Sequence, residues 1–116
     1  MRTARLNGST GATGPMTITV RRLRAERQTI VDVTGALDAA AVRPLRRALA
    51  RALRMRAPVL VDLTRATSLS RPALSTLVAA YREAEQRGLS LLFRTEPPQI
   101  RAILAALEIP QDQPPP

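Results

Sequence analysis

Apolar and polar residues alternate in register with two kinds of secondary structure along this chain. Val59-Leu60-Val61-Asp62-Leu63 is a short, almost wholly apolar run with turn signals on both sides. Such a run predicts a strand buried on both faces. A polar bend is expected next, Thr64-Arg65-Ala66-Thr67-Ser68-Leu69-Ser70-Arg71-Pro72. Beyond it, Leu74, Leu77, Val78, Tyr81 and Ala84 recur at helical spacing, which predicts a helix over 72–87. Gly88 suits the left-handed position past a helix end, and Leu89–Phe93 reads as a second buried strand. Strand, helix, strand is a βαβ unit with two parallel strands. Ligands and partners of such sheets bind at the carboxyl ends of the strands, so a working site is expected at 67–75.

The flanks complete the sheet. Met16–Leu23 alternates, with Ile18 and Val20 on one side and Thr17, Thr19 and Arg21 on the other, as in a half-buried strand. Gln28–Thr34 is expected as its hairpin partner, ended by Gly35. Val42, Leu45, Leu49, Ala52 and Leu53 define the apolar face of a helix near 42–55, with Pro44 tolerated in its first turn. Pro97-Pro98 opens a last helix near 98–107, with Ile100, Ile103, Leu104 and Leu107 as its inner stripe, stopped at Pro110. The expected fold class is α/β, a mixed sheet with helices in the order ββαβαβα, over one domain at 16–109. Residues 1–15 read as a disordered lead; the ordered pattern begins at Met16, which would also serve as a start. Residues 110–116 read as a disordered Pro-rich tail.

Composition narrows the chemistry. The 116-residue chain has neither Cys nor His, which removes disulfides, thiol nucleophiles, most metal sites and the usual neutral-pH proton shuttle. No metal and no cofactor is expected. No run approaches the roughly 18 apolar residues of a membrane span, and the N-terminus lacks a signal-like apolar core, so the expected compartment is cytoplasmic. The formal charge is +9, and every cationic side chain is Arg. Nucleic acid is not an expected partner, because Tyr81 and Phe93 are the only aromatics available for stacking. Arg43, Arg46, Arg47, Arg51 and Arg54 fall opposite the apolar face of the 42–55 helix. They read either as a solvated face or as a docking surface for an acidic partner.

Four segments in this order and spacing resemble STAS domains, the sulfate transporter and anti-sigma factor antagonist family. Gly35-Ala36-Leu37-Asp38 resembles the family's G-x-L-D turn, and Val59–Thr64 its V-L-D-L-S central strand. The helix from Leu74 with its Gly88 stop, and Pro98–Leu104, match the remainder. In bacterial antagonists the bend before the second long helix reads D-S-S-G, and its first Ser is phosphorylated by the anti-sigma kinase. Here Ser70-Arg71-Pro72-Ala73 stands at those four positions and departs at each. Arg71 occupies the acceptor position; it has no hydroxyl, and its charge is opposite to that of a phosphoserine. The usual Gly-Leu after the last helix is Glu108-Ile109.

The resemblance implies a non-enzymatic regulatory module that docks on an anti-sigma factor or kinase-fold protein, without the usual serine switch. The alternative it implies is an accessory subunit of an ATP-driven lipid transporter, with the transporter ATPase as partner. The expected partner-binding residues are Thr67, Ser68, Ser70, Arg71, Pro72 and Ser75, with Arg43 and Arg47 on the neighbouring helix. Ser70 is expected chiefly as a helix cap and secondarily as a shifted acceptor; Ser68 and Thr67 are more remote acceptors. Asp38 and Asp62 are read as structural, since acid–base work requires both to reach one pocket.

Overall fold

The computed structural model describes residues 16–112, so residues 1–15 and 113–116 of the expected lead and tail lie outside the described residues. The described elements are β1 (Thr17–Leu23), β2 (Gln28–Leu37), a 3-10 turn (Ala39–Ala41), α1 (Val42–Arg54), β3 (Val59–Leu69), α2 (Arg71–Gln86), β4 (Leu91–Arg94) and α3 (Pro98–Ala106). The sheet runs β1-β2-β3-β4. β1 and β2 form the expected antiparallel hairpin. β2–β3 and β3–β4 are parallel, which makes the sheet mixed.

The core lies between one face of the sheet and the helices. Val31, Val33, Val59, Val61, Leu63, Leu91 and Phe93 of the strands form one buried cluster with Leu45, Leu49, Leu53, Leu77, Ile100 and Leu104 of the helices. Burying a Leu, Val or Phe side chain contributes about 1.5–3 kcal/mol. The remaining face of the sheet carries Asp32, Asp62 and Arg94 level with one another across β2, β3 and β4.

Three expectations about boundaries are corrected. First, the polar stretch after Leu63 is not a bend: β3 continues through it to Leu69, paired with β2. Two register shifts explain the misreading. β2 advances from Asp32 to Thr34 while β3 advances from Asp62 to Arg65, and from Gly35 to Ala36 while β3 moves from Ala66 to Ser68. Each shift inserts one extra residue in β3, and a bulge of this kind breaks the period-two alternation by which a strand is read. Buried Ala66 thus follows buried Leu63 at a spacing of three. Asp62 fastens the first shift: its Oδ1 accepts from the Thr64 N–H at 3.0 Å and the Thr64 hydroxyl at 2.7 Å. Second, Gly35 does not end β2. It lies inside the strand beside the second shift, with a φ of 97° that a side chain would oppose.

Third, the chain past Ile109 is packed as far as Asp112. Gln111 bridges to Phe93, and its side-chain oxygen accepts from the Thr95 hydroxyl at 2.7 Å. Asp112 pairs with Arg94. A proline-rich composition signals no packing, but these bonds come from two polar residues between the prolines. Within α3, Leu107 does not join the inner stripe; it is 47% exposed. The helix closes at Ala106, Glu108 turns the chain at a φ of 58°, and Ile109 takes the buried place.

Candidate functional site

The parallel strands β2 and β3 end side by side. Leu37 pairs with Leu69, and the Ser70 N–H donates to the Leu37 carbonyl at 2.8 Å. The segments leaving these strands are therefore neighbours at one end of the sheet. After β2, the Asp38 carboxylate accepts from the Ala40 N–H at 3.1 Å and caps the 3-10 turn that leads into α1. After β3, Ser70 caps α2: its Oγ accepts from the Ala73 N–H at 3.3 Å, and its carbonyl accepts from the Leu74 N–H at 2.9 Å. Ser70 thus uses its N–H, its carbonyl and its hydroxyl oxygen to join strand to helix.

Arg71 is the first residue of α2, one position earlier than the spacing predicts. The proline that follows disfavours helical geometry at Arg71. The Ser70 cap and the Leu74-to-Ser70 bond hold the first turn against that preference. Pro72 sits where its missing N–H has no intrahelical partner to lose. Ala73 is fully buried. Arg71 and Pro72 are exposed, as are Thr67 and Ser68 at the end of β3. The hydroxyls near this end differ in access: Ser68 is exposed, whereas Ser70 is half-buried and bonded.

Of the residues singled out in the sequence, Ser70, Arg71, Pro72 and Ser75 come together at the start of α2. Thr67 and Ser68 lie just before it, but on strand rather than bend. Pro72 and Ser75 also line a groove of about 480 Å³ between α1 and α2, with Val42, Arg46, Leu49 and Ala79 among its other walls. Arg43 and Arg47 are exposed on α1 but lie outside that groove; Arg46 stands at its rim. The helical repeat of about 100° per residue turns Arg43 and Arg47 further round α1 than Arg46. Projecting α1 alone shows that offset, but the pairing with α2 that makes it matter is a tertiary contact.

Arg43, Arg46, Arg47, Arg51 and Arg54 take part in no ion pair among the described residues, where the pairs are Arg21–Asp32, Arg87–Glu83 and Arg94–Asp112. Hydrogen bonding to Asp32, then its charge, raises the Arg21 pKa. Asp38 and Asp62 do not form a pair: Asp38 caps the turn after β2, whereas Asp62 faces Asp32 across the sheet. Among the described residues no group of His, Cys, Asp or Glu could hold a metal, and no helix is long and apolar enough to cross a membrane.

The family model described as Mlab, STAS domain matches residues 20–111. The chain belongs to this family. No curated protein matches it. Among solved structures, this STAS domain is similar to an anti-sigma factor antagonist from Mycobacterium paratuberculosis, with 19% identity and a TM-score of 0.67 over 80% of this chain and 78% of that one. It is similar to the anti-sigma factor antagonist SpoIIAA in its unphosphorylated form, with 14% identity and a TM-score of 0.69 over 85% and 89%. It is also similar to the Bacillus cell fate determinant SpoIIAA in its phosphorylated form, with 15% identity and a TM-score of 0.64 over 78% and 82%. The STAS domain therefore has the SpoIIAA-like fold, as its order of elements predicts.

Proposed function

We propose that this STAS domain is a non-enzymatic regulatory module that docks on an anti-sigma factor or another kinase-fold protein, without a serine phosphoswitch. The start of α2 carries the reading. Arg71 stands where antagonists of the family place the acceptor serine, and Ser70 is engaged as the helix cap. The helix N-terminus, with an exposed Arg beside it, favours an anionic group, and a partner carboxylate meets that need as well as a phosphate does. The docking surface comprises Thr67, Ser68, Ser70, Arg71, Pro72 and Ser75 at this end, with Arg43 and Arg47 of α1 alongside. Occupancy is then set by how much of the domain is present rather than by modification.

The test is a pull-down from native lysate with the full chain and with Arg71→Glu, followed by mass spectrometry and reconstitution with ATP. The expected result is a 1:1 complex with an anti-sigma or kinase-fold protein, weakened by Arg71→Glu and stable to ATP. Stoichiometric phosphorylation of Ser70 or Ser68 with release of the partner would overturn the switchless reading. Recovery of a transporter ATPase instead would assign the domain to the alternative, an accessory subunit of an ATP-driven lipid transporter.

A further inference from the structure

The groove between α1 and α2 begins at the proposed docking end and runs away from it. It opens at Val42 and Pro72, passes Arg46 and Ala79, and ends at Leu53 and Glu83. From Val42 to Leu53 the rise of an α-helix gives it a length of about 16 Å, three turns of a second helix. Ala50 and Ala79 are exposed within it, and Leu49, Leu53 and Ala80 are buried beneath. Small side chains between two helices let a third backbone approach closely, and an amphipathic helix is the element that lays an apolar stripe into such a groove.

The two rims differ in charge. The α1 sequence Val42–Arg54 contains five Arg and no acid, and none of the five is ion-paired among the described residues. On the α2 side, Glu83 at the rim is held by Arg87 at 2.6 Å, and the other rim groups are the hydroxyls of Ser75 and Thr76. The Thr76 hydroxyl is turned inward, donating to the Pro72 carbonyl at 2.9 Å. One flank is strongly cationic and the other near neutral. An occupant that matches both needs acids along a single flank of its apolar stripe.

We infer that the α1–α2 groove receives an acidic amphipathic helix of the partner protein, its apolar stripe over Ala50 and Ala79 and its acidic flank along Arg46, Arg47 and Arg43 of α1. This rests on the docking function proposed above and extends it from the start of α2 to a second, adjoining surface. The charge pattern also fixes the direction in which the helix runs, because reversing it with the stripe still in the groove would set its acids against Glu83.

The probe is a displayed library of 15-residue helical peptides with a fixed Leu/Ala stripe and randomised flanks, selected on the full-length protein. The expected winners carry acids on one flank only, and their affinity falls about tenfold for Arg46→Glu/Arg47→Glu and as steeply with added salt. Ala79→Glu, at an exposed position, is expected to abolish binding while thermal melting stays unchanged; Ala50→Gln serves the same purpose should Ala79→Glu melt early. Failure to enrich, winners without an acidic flank, or winners indifferent to the groove variants would each overturn the inference. Arg71→Glu separates the two proposals. Loss of the lysate partner with Arg71→Glu but not with the groove variants would remove the groove and leave the docking function standing.

Discussion

Helices α1 and α2 pack side by side on the same face of the sheet, yet their outer faces are built in opposite ways. α2 is self-sufficient. Its start is capped by Ser70, its outward residues pair locally as Tyr81–Glu85 and Glu83–Arg87, and its end is closed by Gly88 in the left-handed conformation. α1 has no side-chain cap of its own, and its outward face carries five arginines with no acid on the helix. Arginines one turn apart repel, so the face of α1 does not hold the helix together. Burial of Leu45, Ala48, Leu49, Ala52 and Leu53 does that. A helix stabilised from beneath leaves its outer face free for another use, and Arg46 of that face lines a groove shared with Pro72 and Ser75 of α2.

Core and surface of α1 are expected to respond to substitution in opposite ways. Leu45→Ala, at a fully buried position, is expected to lower stability by about 2–5 kcal/mol. Arg47→Glu on the same helix is expected to stay within about 0.5 kcal/mol of the parent. Urea unfolding of both checks this, and a large loss with Arg47→Glu would make the arginine face structural after all.

Next comes the cap that α2 has and α1 lacks. Ser70→Ala is expected to cost about 1 kcal/mol, and Ser70→Asp, which restores an acceptor beside the helix N-terminus, to recover most of it. Equal melting temperatures for Ser70→Ala and the parent would show that the cap contributes nothing.

The helix ends sharpen the contrast further. α2 and α3 close with the same pattern: the Leu89 N–H bonds the Ala84 carbonyl at 2.8 Å, and the Ile109 N–H bonds the Leu104 carbonyl at 3.0 Å. Gly88 stands in the left-handed position of the first and Glu108 in that of the second, at φ values of 70° and 58°. Gly88→Ala is expected to destabilise by roughly 1 kcal/mol through backbone strain alone, since a Cβ there meets nothing within 4 Å. Glu108→Gly is expected to stabilise by about 0.5–1 kcal/mol. Thermal melts that moved in the same direction for both would contradict the shared geometry. The smallest effect is expected at Arg21→Ala, which breaks an exposed ion pair with Asp32 and is predicted to cost under about 1 kcal/mol, less at high salt.

Much of this fold is legible in the sequence because its burial is periodic. The apolar stripes of α1 and α2 and the doubly buried start of β3 follow from spacing alone. The second half of β3 is not legible in that way. Its two extra residues shift the alternation twice, so Thr64–Leu69 reads as a polar bend although it is paired along β2. The misreading moves the site little, since the strand ends at Leu69 and the Ser70 cap lies where the bend was expected to close. Asp112 and Gln111 were hidden for a different reason: a composition rich in proline says nothing about the two polar side chains that bond to Arg94 and Thr95. The groove was hidden because it belongs to neither helix. Arg46 is legible as one of five arginines, but its place at a rim shared with Ala79 and Glu83 depends on how α1 meets α2.

The proposed docking surface joins the arginine face of α1 to the start of α2. The direct measurement is calorimetric titration of the partner recovered by the full chain into the parent protein and into Arg43→Glu/Arg47→Glu, with urea unfolding of both. Unfolding free energies are expected to lie within about 1 kcal/mol of each other, and affinity to be lower by tenfold or more in the double variant. Unchanged affinity, or a loss of stability large enough to explain the loss of binding, would remove the arginine face from the docking surface.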